Sequence, residues 1–287
     1  MIHVEPVDTP NVVEVREFLH RYEDTSLFLL GNLENYGFRM TEVNYSGNFK
    51  LLRNEEGVIG VICLARSGNL LFQLEESCFD EVLAACFEES VPVRGVVGEW
   101  ERGSALWEFL KAEKLIAKET FTEKDILYIV ALKEIETEAI PEVELYSESD
   151  FVEWRALRQE YIDELNLPDG HQEDHWRRIF QDKVRDQILW GMKVDGEWVA
   201  TADLNAKAGD LGQVGGVYTK PAFRRSGIAK KMMKQIFHDA KHKLGLRKLI
   251  IFTGEDNVAA RRVYESLGAH HKGYFALLFG ESASEGI

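Results

Sequence analysis

Residues Val217–Phe237 read "VYTKPAFRRSGIAKKMMKQIF", and the fold turns on how this stretch is read. The preceding "LGQVGGVYT" (211–219) reads as a strand, and Pro221, which has no N–H for a ladder, ends it. From Ile228 onward, Ile228, Met232, Ile236, Phe237, Ala240 and Leu244 recur at helical spacing and predict a helix with one apolar face. Between strand and helix stand two arginines and a glycine. The unpaired amides of a helix N-terminus, together with its dipole, favour negative charge. Gly227 permits a left-handed backbone or a close approach, and small Ala229 leaves room. Arg224 and Arg225 can add charge-assisted bonds to phosphate oxygens. The chemistry fits a pyrophosphate.

The rest of the chain sharpens that reading. Its 287 residues carry a formal net charge of −15, so a local cluster of Arg224, Arg225, Lys230, Lys231 and Lys234 stands out. The charge is uneven: residues 1–140 hold about 13 basic and 26 acidic side chains, the remainder about 21 and 23. Such a balance argues against nucleic acid as a partner, because phosphate contacts need a basic face. There is no G-x-x-x-x-G-K-[ST] and no G-x-G-x-x-G opening a βαβ unit, which sets aside the common nucleotide-binding loops. "MIHVEPVDTP" is not a signal peptide, and "SLFLLGNL" is far too short for a membrane span, so no membrane partner is expected. Cys63, Cys78 and Cys86 are odd in number and lack metal-ligand spacing. They read as reduced, buried thiols of a cytoplasmic protein.

Working outward, the charged, proline-bearing "KEIETEAIPEVE" divides the chain into expected domains at 1–138 and 139–287. In the second, a short strand near Val143 precedes helices from Asp150 and Gln172. Strands come next in "QILWGMKVDG", "EWVATADLNA" and "LGQVGGVYT", then the helix above, a strand "KLIIFTG", a helix from Asp256 to Leu267 and a strand "YFALLF". The first half runs in the same order: helices over Asn11–Tyr22 and Leu27–Phe38, then strands "FKLLRN", "VIGVICLAR" and "NLLFQL". A helix "FDEVLAACFEE", a strand "VRGVVG", a helix "ALWEFLKAEK" and a strand "ILYIVAL" complete it. This is an α/β chain of two similar mixed-sheet domains, each a central sheet flanked by helices, built by internal duplication. One element differs. Where the second half has its arginine–glycine turn, the first has "QLEESCFDEV", with Glu75, Glu76, Asp80 and Glu81 and no glycine, which cannot form an anion site.

Downstream lies "TGEDNVAARRVYESLGAHHKGYFALLF" (253–279). Strand, "P-x-x-R-x-x-G-x-A", helix, strand, then "N-x-x-A-x-x-x-Y-x-x-x-G" resembles the acetyl-CoA-binding core of the GCN5-related N-acetyltransferases (GNAT) over Gln213–Phe279. "FLLGNLE" and "QVGGVYTKPAFRR" together are similar to bacterial tandem members of that superfamily, whose N-terminal copy is degenerate. The resemblance implies acetyl-CoA as co-substrate, without a metal, and transfer of its acetyl group to a primary amine of a small molecule or peptide by direct attack. Backbone groups of Val217, Tyr218 and Thr219 would pair with the pantetheine arm, and an N–H near Val217 would stabilise the oxyanion. Amides of Arg225, Ser226, Gly227, Ile228 and Ala229 would hold the pyrophosphate, with Arg224 beside them, and Asn257 would bond the pantetheine. Tyr264 stands where the family places the acid that protonates the leaving thiolate.

One departure matters. Many relatives carry a glutamate on the strand before the loop, and "LGQVGGVYT" has none. Glu255, Asp203 or a water chain could take the amine proton. The gap keeps open a rival reading, a non-catalytic acyl-CoA-binding sensor or regulatory protein; a homodimer is compatible with either. His171 and His175 with Glu173 faintly resemble a metal-binding helix, yet the zincin order puts glutamate directly after the first histidine, so a solvated helix start fits better. The acids of "YIDELNLPDGHQEDH" could attract a cationic amine or simply form a polar turn.

Overall fold

A computed structural model describes residues 1–165 and 172–283 of the protein. The chain opens with a short strand β1 (His3–Pro6), helices α1 (Val12–Arg21) and α2 (Glu23–Tyr36), and a meander of β2 (Gly47–Asn54), β3 (Gly57–Ala65) and β4 (Asn69–Leu74). Helix α3 (Phe79–Phe87), β5 (Gly95–Glu99), α4 (Trp100–Ala112) and the long β6 (Ile116–Ala131) come next. The same succession then repeats. It comprises β7 (Val143–Leu145), α5 (Phe151–Glu164), α6 (Glu173–Arg185), β8 (Leu189–Val194), β9 (Glu197–Ala208) and β10 (Leu211–Thr219). After α7 (Ile228–His242) come β11 (Lys248–Gly254), α8 (Val258–Ser266) and β12 (His270–Ser282). The expected duplication of element order is present. β1 was not foreseen, since four residues around a proline give no periodicity to read.

The chain forms two compact units, and their limits differ from the expected 138/139 division. One is Met1–Ile126 with Gly273–Ile287; the other is Leu127–Lys272. The final strand of the chain therefore completes the first unit, and the end of β6 belongs to the second. In the first unit the strand order is β1-β2-β3-β4-β5-β12-β6, with β12 antiparallel to β5 from Phe275↔Glu99 to Phe279↔Gly95. "ILYIVAL" and "YFALLF" are equally apolar. Their composition says strand but not which sheet, because partner choice is a non-local property. Phe72, Val96, Leu106, Trp107 and Ala276 lie in the core of this unit.

In the second unit the order is β6-β11-β10-β9-β8-β7. β10 runs parallel to β11 and antiparallel to β9, which is in turn antiparallel to β8. An aromatic cluster of Tyr146, Trp154, Trp176, Phe180 and Trp198 packs α5 and α6 onto this sheet. On α7, Met232, Met233, Ile236, Phe237 and Ala240 are buried, as the helical spacing demands. These two layers fix what happens at the end of β10.

Candidate active site

Two irregularities of β10 open a cleft in the second unit. Its parallel ladder to β11 runs from Leu211↔Lys248 to Val214↔Ile251 and stops there. On the other side, the ladder to β9 passes from Gly215↔Asp203 to Tyr218↔Thr201, so Gly216 and Val217 oppose a single residue, a β-bulge. Gly216 takes φ +58 to turn the bulge. A Cβ there would lie 2.9 Å from Arg158 Nη1 and 3.0 Å from Asp203 Oδ2, the ends of two side chains, so the positive φ is what calls for glycine. The bulge takes backbone groups near Val217 out of the regular β9 ladder, and strand separation frees the other edge.

The separated strands lead into a cleft of about 480 Å³ lined by Tyr161, Glu164, residues 217–219, 223–225 and 227–230, Asn257, Ala259, Ala260, Val263 and Tyr264. Of the residues expected to hold the cofactor or protonate the thiolate, all but Ser226 line it; the candidate bases Asp203 and Glu255 do not. At its loop end the backbone is left-handed at Arg225 (φ +63) and again at Gly227 (φ +85), the residue before α7. Such turns point successive N–H groups into one concavity, an anion nest at a helix N-terminus. A Cβ on Gly227 would meet nothing within 4 Å, so the approach to those amides is open. The cradle has the shape and donors a pyrophosphate needs. Ser226 turns its hydroxyl back to the Phe223 carbonyl.

Arg224 differs from the expectation that it faces phosphate. Its Nε donates to the Thr219 carbonyl at 2.9 Å, and Nη2 pairs with Glu164 at 2.5 Å. Glu164 raises the guanidinium pKa further, and the cation lies 5.6 Å from the Tyr218 ring centroid. Arg224 thus pins the loop to the end of α5. Asn257 also has a local task, its Oδ1 accepting from Ala260 N at 3.2 Å as the cap of α8. Tyr264, one and a half turns into α8, is 4% exposed and stands edge-on to Tyr128 at 6.2 Å.

The acidic side chains near the cleft are engaged within the fold. Asp203 is buried and holds Lys183 Nζ at 2.8 Å; burial pushes the lysine pKa down against the pull of that carboxylate. Glu160 accepts from Tyr218 Oη at 3.2 Å and faces Lys220 at 3.8 Å. Burial first, and Glu160 second, raise the Tyr218 pKa to about 12, so the phenol stays protonated. Glu164 is held by Arg224, and Asp163 takes a bond from Gln159. Glu160, Asp163 and Glu164, in the last turns of α5, are therefore partners of the protein's own donors rather than a loose attractor for a cation. Glu255 is exposed beyond β11 and gives its carbonyl to Arg261. His171 lies outside the described residues, and no metal-binding group occurs among those described. Sequence reading missed Arg158, Glu160 and Lys183; no local motif marks them, since the partners of Lys183 and Glu160 lie 20 and 58 residues away and Arg158 is placed by the rings of Tyr161 and Trp176.

Residues 152–269 match the family model described as Acetyltransferase (GNAT) family. This segment is a GNAT-family domain. It contains the whole cleft, and the GNAT family uses acetyl-CoA as co-substrate. No curated protein matches the chain in sequence. Among solved structures, a Drosophila protein aligns with TM-score 0.69 at 12% identity, covering 97% of this chain and 98% of its own. A GCN5-related N-acetyltransferase from Sphaerobacter thermophilus aligns at 0.60 and 12% identity, over 98% and 95%. A tandem GNAT protein from the clavulanic acid biosynthesis pathway aligns at 0.54 and 12%, over 99% of each chain. At such identities the likeness is one of fold, and it extends the whole length of the chain. Among the described residues, no helix is long and apolar enough to cross a membrane.

Proposed function

We propose that the GNAT domain transfers the acetyl group of acetyl-CoA to a primary amine by direct attack. The observation that carries the reading is the end of the β10–β11 ladder at Val214↔Ile251, with a cleft running from the Gly216 bulge to the nest at Arg225–Ala229. A pantetheine arm pairs with strand edges, and β10 offers one from Gly215 onward. When bound, acetyl-CoA supplies an activated thioester. The chain's own residues then orient it: the bulge offers an N–H near Val217 to the carbonyl oxygen, and helix α7 offers its first-turn amides to the pyrophosphate. Tyr264 supplies a proton to the departing sulfur.

Titration of the full chain with acetyl-CoA tests the cofactor half of this reading. Gly227→Glu, which places a carboxylate over the nest, is expected to weaken binding on the order of a hundredfold or more. Gly227→Ala, which strains the left-handed φ without adding charge, should weaken it far less. Equal affinity of a folded Gly227→Glu variant and the wild type would remove the pyrophosphate assignment. One observation favours the rival reading of a non-catalytic acyl-CoA-binding sensor: Asp203, a candidate base, is tied to Lys183. Acetyl-CoA that binds tightly but is consumed with no amine would establish that reading instead.

A further inference from the structure

We propose that the amine accepted by this site also carries a carboxylate, and that Arg158 anchors it; the inference rests on the acetyl-transfer reading above. Arg158 projects from α5 between two aromatic rings, its Cζ 4.8 Å from the Tyr161 centroid and 5.5 Å from that of Trp176. This clamp holds the long side chain in one place, and cation–π attraction adds to it. Its terminal Nη1 reaches the bulge, 2.9 Å from where a Cβ on Gly216 would sit, with Asp203 Oδ2 3.0 Å from the same point.

The local charges leave this arginine over. Asp203 is matched by Lys183, Glu160 by Tyr218 and Lys220, and Glu164 by Arg224. Arg155, one turn earlier on α5, faces Glu173 at 3.6 Å. Arg158 enters no ion pair within 4 Å among the described residues, and its Nε is buried without a hydrogen-bond partner. The residue is half-buried, and an Nε–H withdrawn from water without an acceptor is costly unless something arrives to accept from it. The planar guanidinium fork matches a carboxylate in bidentate fashion.

Position narrows the ligand further. Gly216 is the neighbour of Val217, where the thioester carbonyl is directed, so a carboxylate on Arg158 stands only a few bonds from the attacking nitrogen. The acceptor class is a small free amino acid, with one or two carbons between amine and carboxylate. A polyamine or an amino sugar has no group for Arg158.

The test compares free amino acids with their methyl esters and with spermidine, using acetyl-CoA and the full chain. The acids are expected to exceed their esters roughly ten- to a hundredfold in kcat/KM, the scale of a charge-assisted pair. Arg158→Gln should collapse that ratio to near one by raising KM for the acids, and Arg158→Lys should restore part of it. Wild-type protein that acetylates esters or spermidine as well as acids, or an Arg158→Gln variant that keeps the ratio, overturns the inference while leaving acetyl transfer intact. If no amine is acetylated, calorimetry of the same amino acids with CoA-saturated protein still decides: binding lost in Arg158→Gln upholds the anchor and sinks the transfer reading. Absence of binding sinks the anchor.

Discussion

At the scale of single residues, Tyr264 carries the plainest prediction. Its hydroxyl is asked only to protonate the sulfur that leaves, so Tyr264→Phe is expected to lower kcat by roughly one to three orders of magnitude at neutral pH. Acetyl-CoA affinity should change little. Wild-type turnover in Tyr264→Phe would return the tyrosine to the core that its burial beside Tyr128 also serves. Single-residue features that rest on backbone chemistry were legible in the sequence. Gly227 is left-handed before α7, as its neighbours in sequence suggest, because dihedral preference depends on near neighbours; the helix expected from Asp256 starts at Val258, with Asn257 as its cap. Arg224 was legible as a cation but not as the partner of Glu164, 60 residues earlier. Nor could the unmatched charge of Arg158 be found before Asp203, Glu160 and Glu164 had been assigned to other partners.

At the scale of elements, the bond between β8 and α7 merits a test of its own. Trp190 Nε1 donates to Asp239 Oδ2 at 2.9 Å, while Gln235 and Lys243 hold Oδ1, all with the carboxylate buried. Burial pushes the Asp239 pKa up, but the bonds from Trp190, Lys243 and Gln235 together outweigh it and the net shift is downward. A depressed carboxylate stabilises the fold fully above its unfolded pKa, near 3.9, and that contribution fades as pH falls through the lower folded value. Asp239→Asn should cost about 1–3 kcal/mol in denaturant unfolding at pH 7, with the difference from wild type shrinking below pH ~4. A difference that is constant down to pH 2 would assign the loss to packing alone. Element limits were readable where turn residues bracket them: β4, β10 and β11 match the expected strands end for end. They were misjudged where a strand outruns its apolar run. β6 begins at Ile116, ten residues before "ILYIVAL", because its polar start alternates too weakly to register.

At the scale of the molecule, the two units part company where their parallel ladders end. In the first unit the β4–β5 ladder ends at Leu71↔Val97, and the next residue is Phe72, where the second unit has Gly215. The Phe72 ring is laid over Gly98 and Gly103; a Cβ on these would lie 2.5 Å and 3.3 Å from it, respectively. The turn into α3 carries Glu75 and Glu76, which would repel a pyrophosphate. We therefore expect one acetyl-CoA per chain, read as a stoichiometry near one in calorimetry; two equivalent sites would refute the assignment of an inert first unit. Replacing Phe72 with glycine should not create a second site, since the carboxylates remain. Duplication of the element order was visible in the sequence, because each half repeats its own periodicity. Which unit receives the final strand was not, because nothing local to "YFALLF" distinguishes β5 from any other apolar edge.

That strand also sets a timetable. The first unit cannot be finished when its own residues emerge from the ribosome, because Phe275, Ala276 and Leu278, buried in it, are made after the entire second unit. At synthesis rates of about 5–20 residues per second, β5 waits on the order of ten seconds with an open apolar edge. During that interval the nascent chain is a substrate for chaperones and a template for pairing with its neighbours. Residues 1–138 made alone should remain in that waiting state and aggregate. Supplying residues 273–283 in trans, or joining them by a short linker after residue 126, should yield a soluble, cooperatively unfolding unit. A fragment 1–138 that folds unaided would show that the last strand arrives as ornament and not as closure.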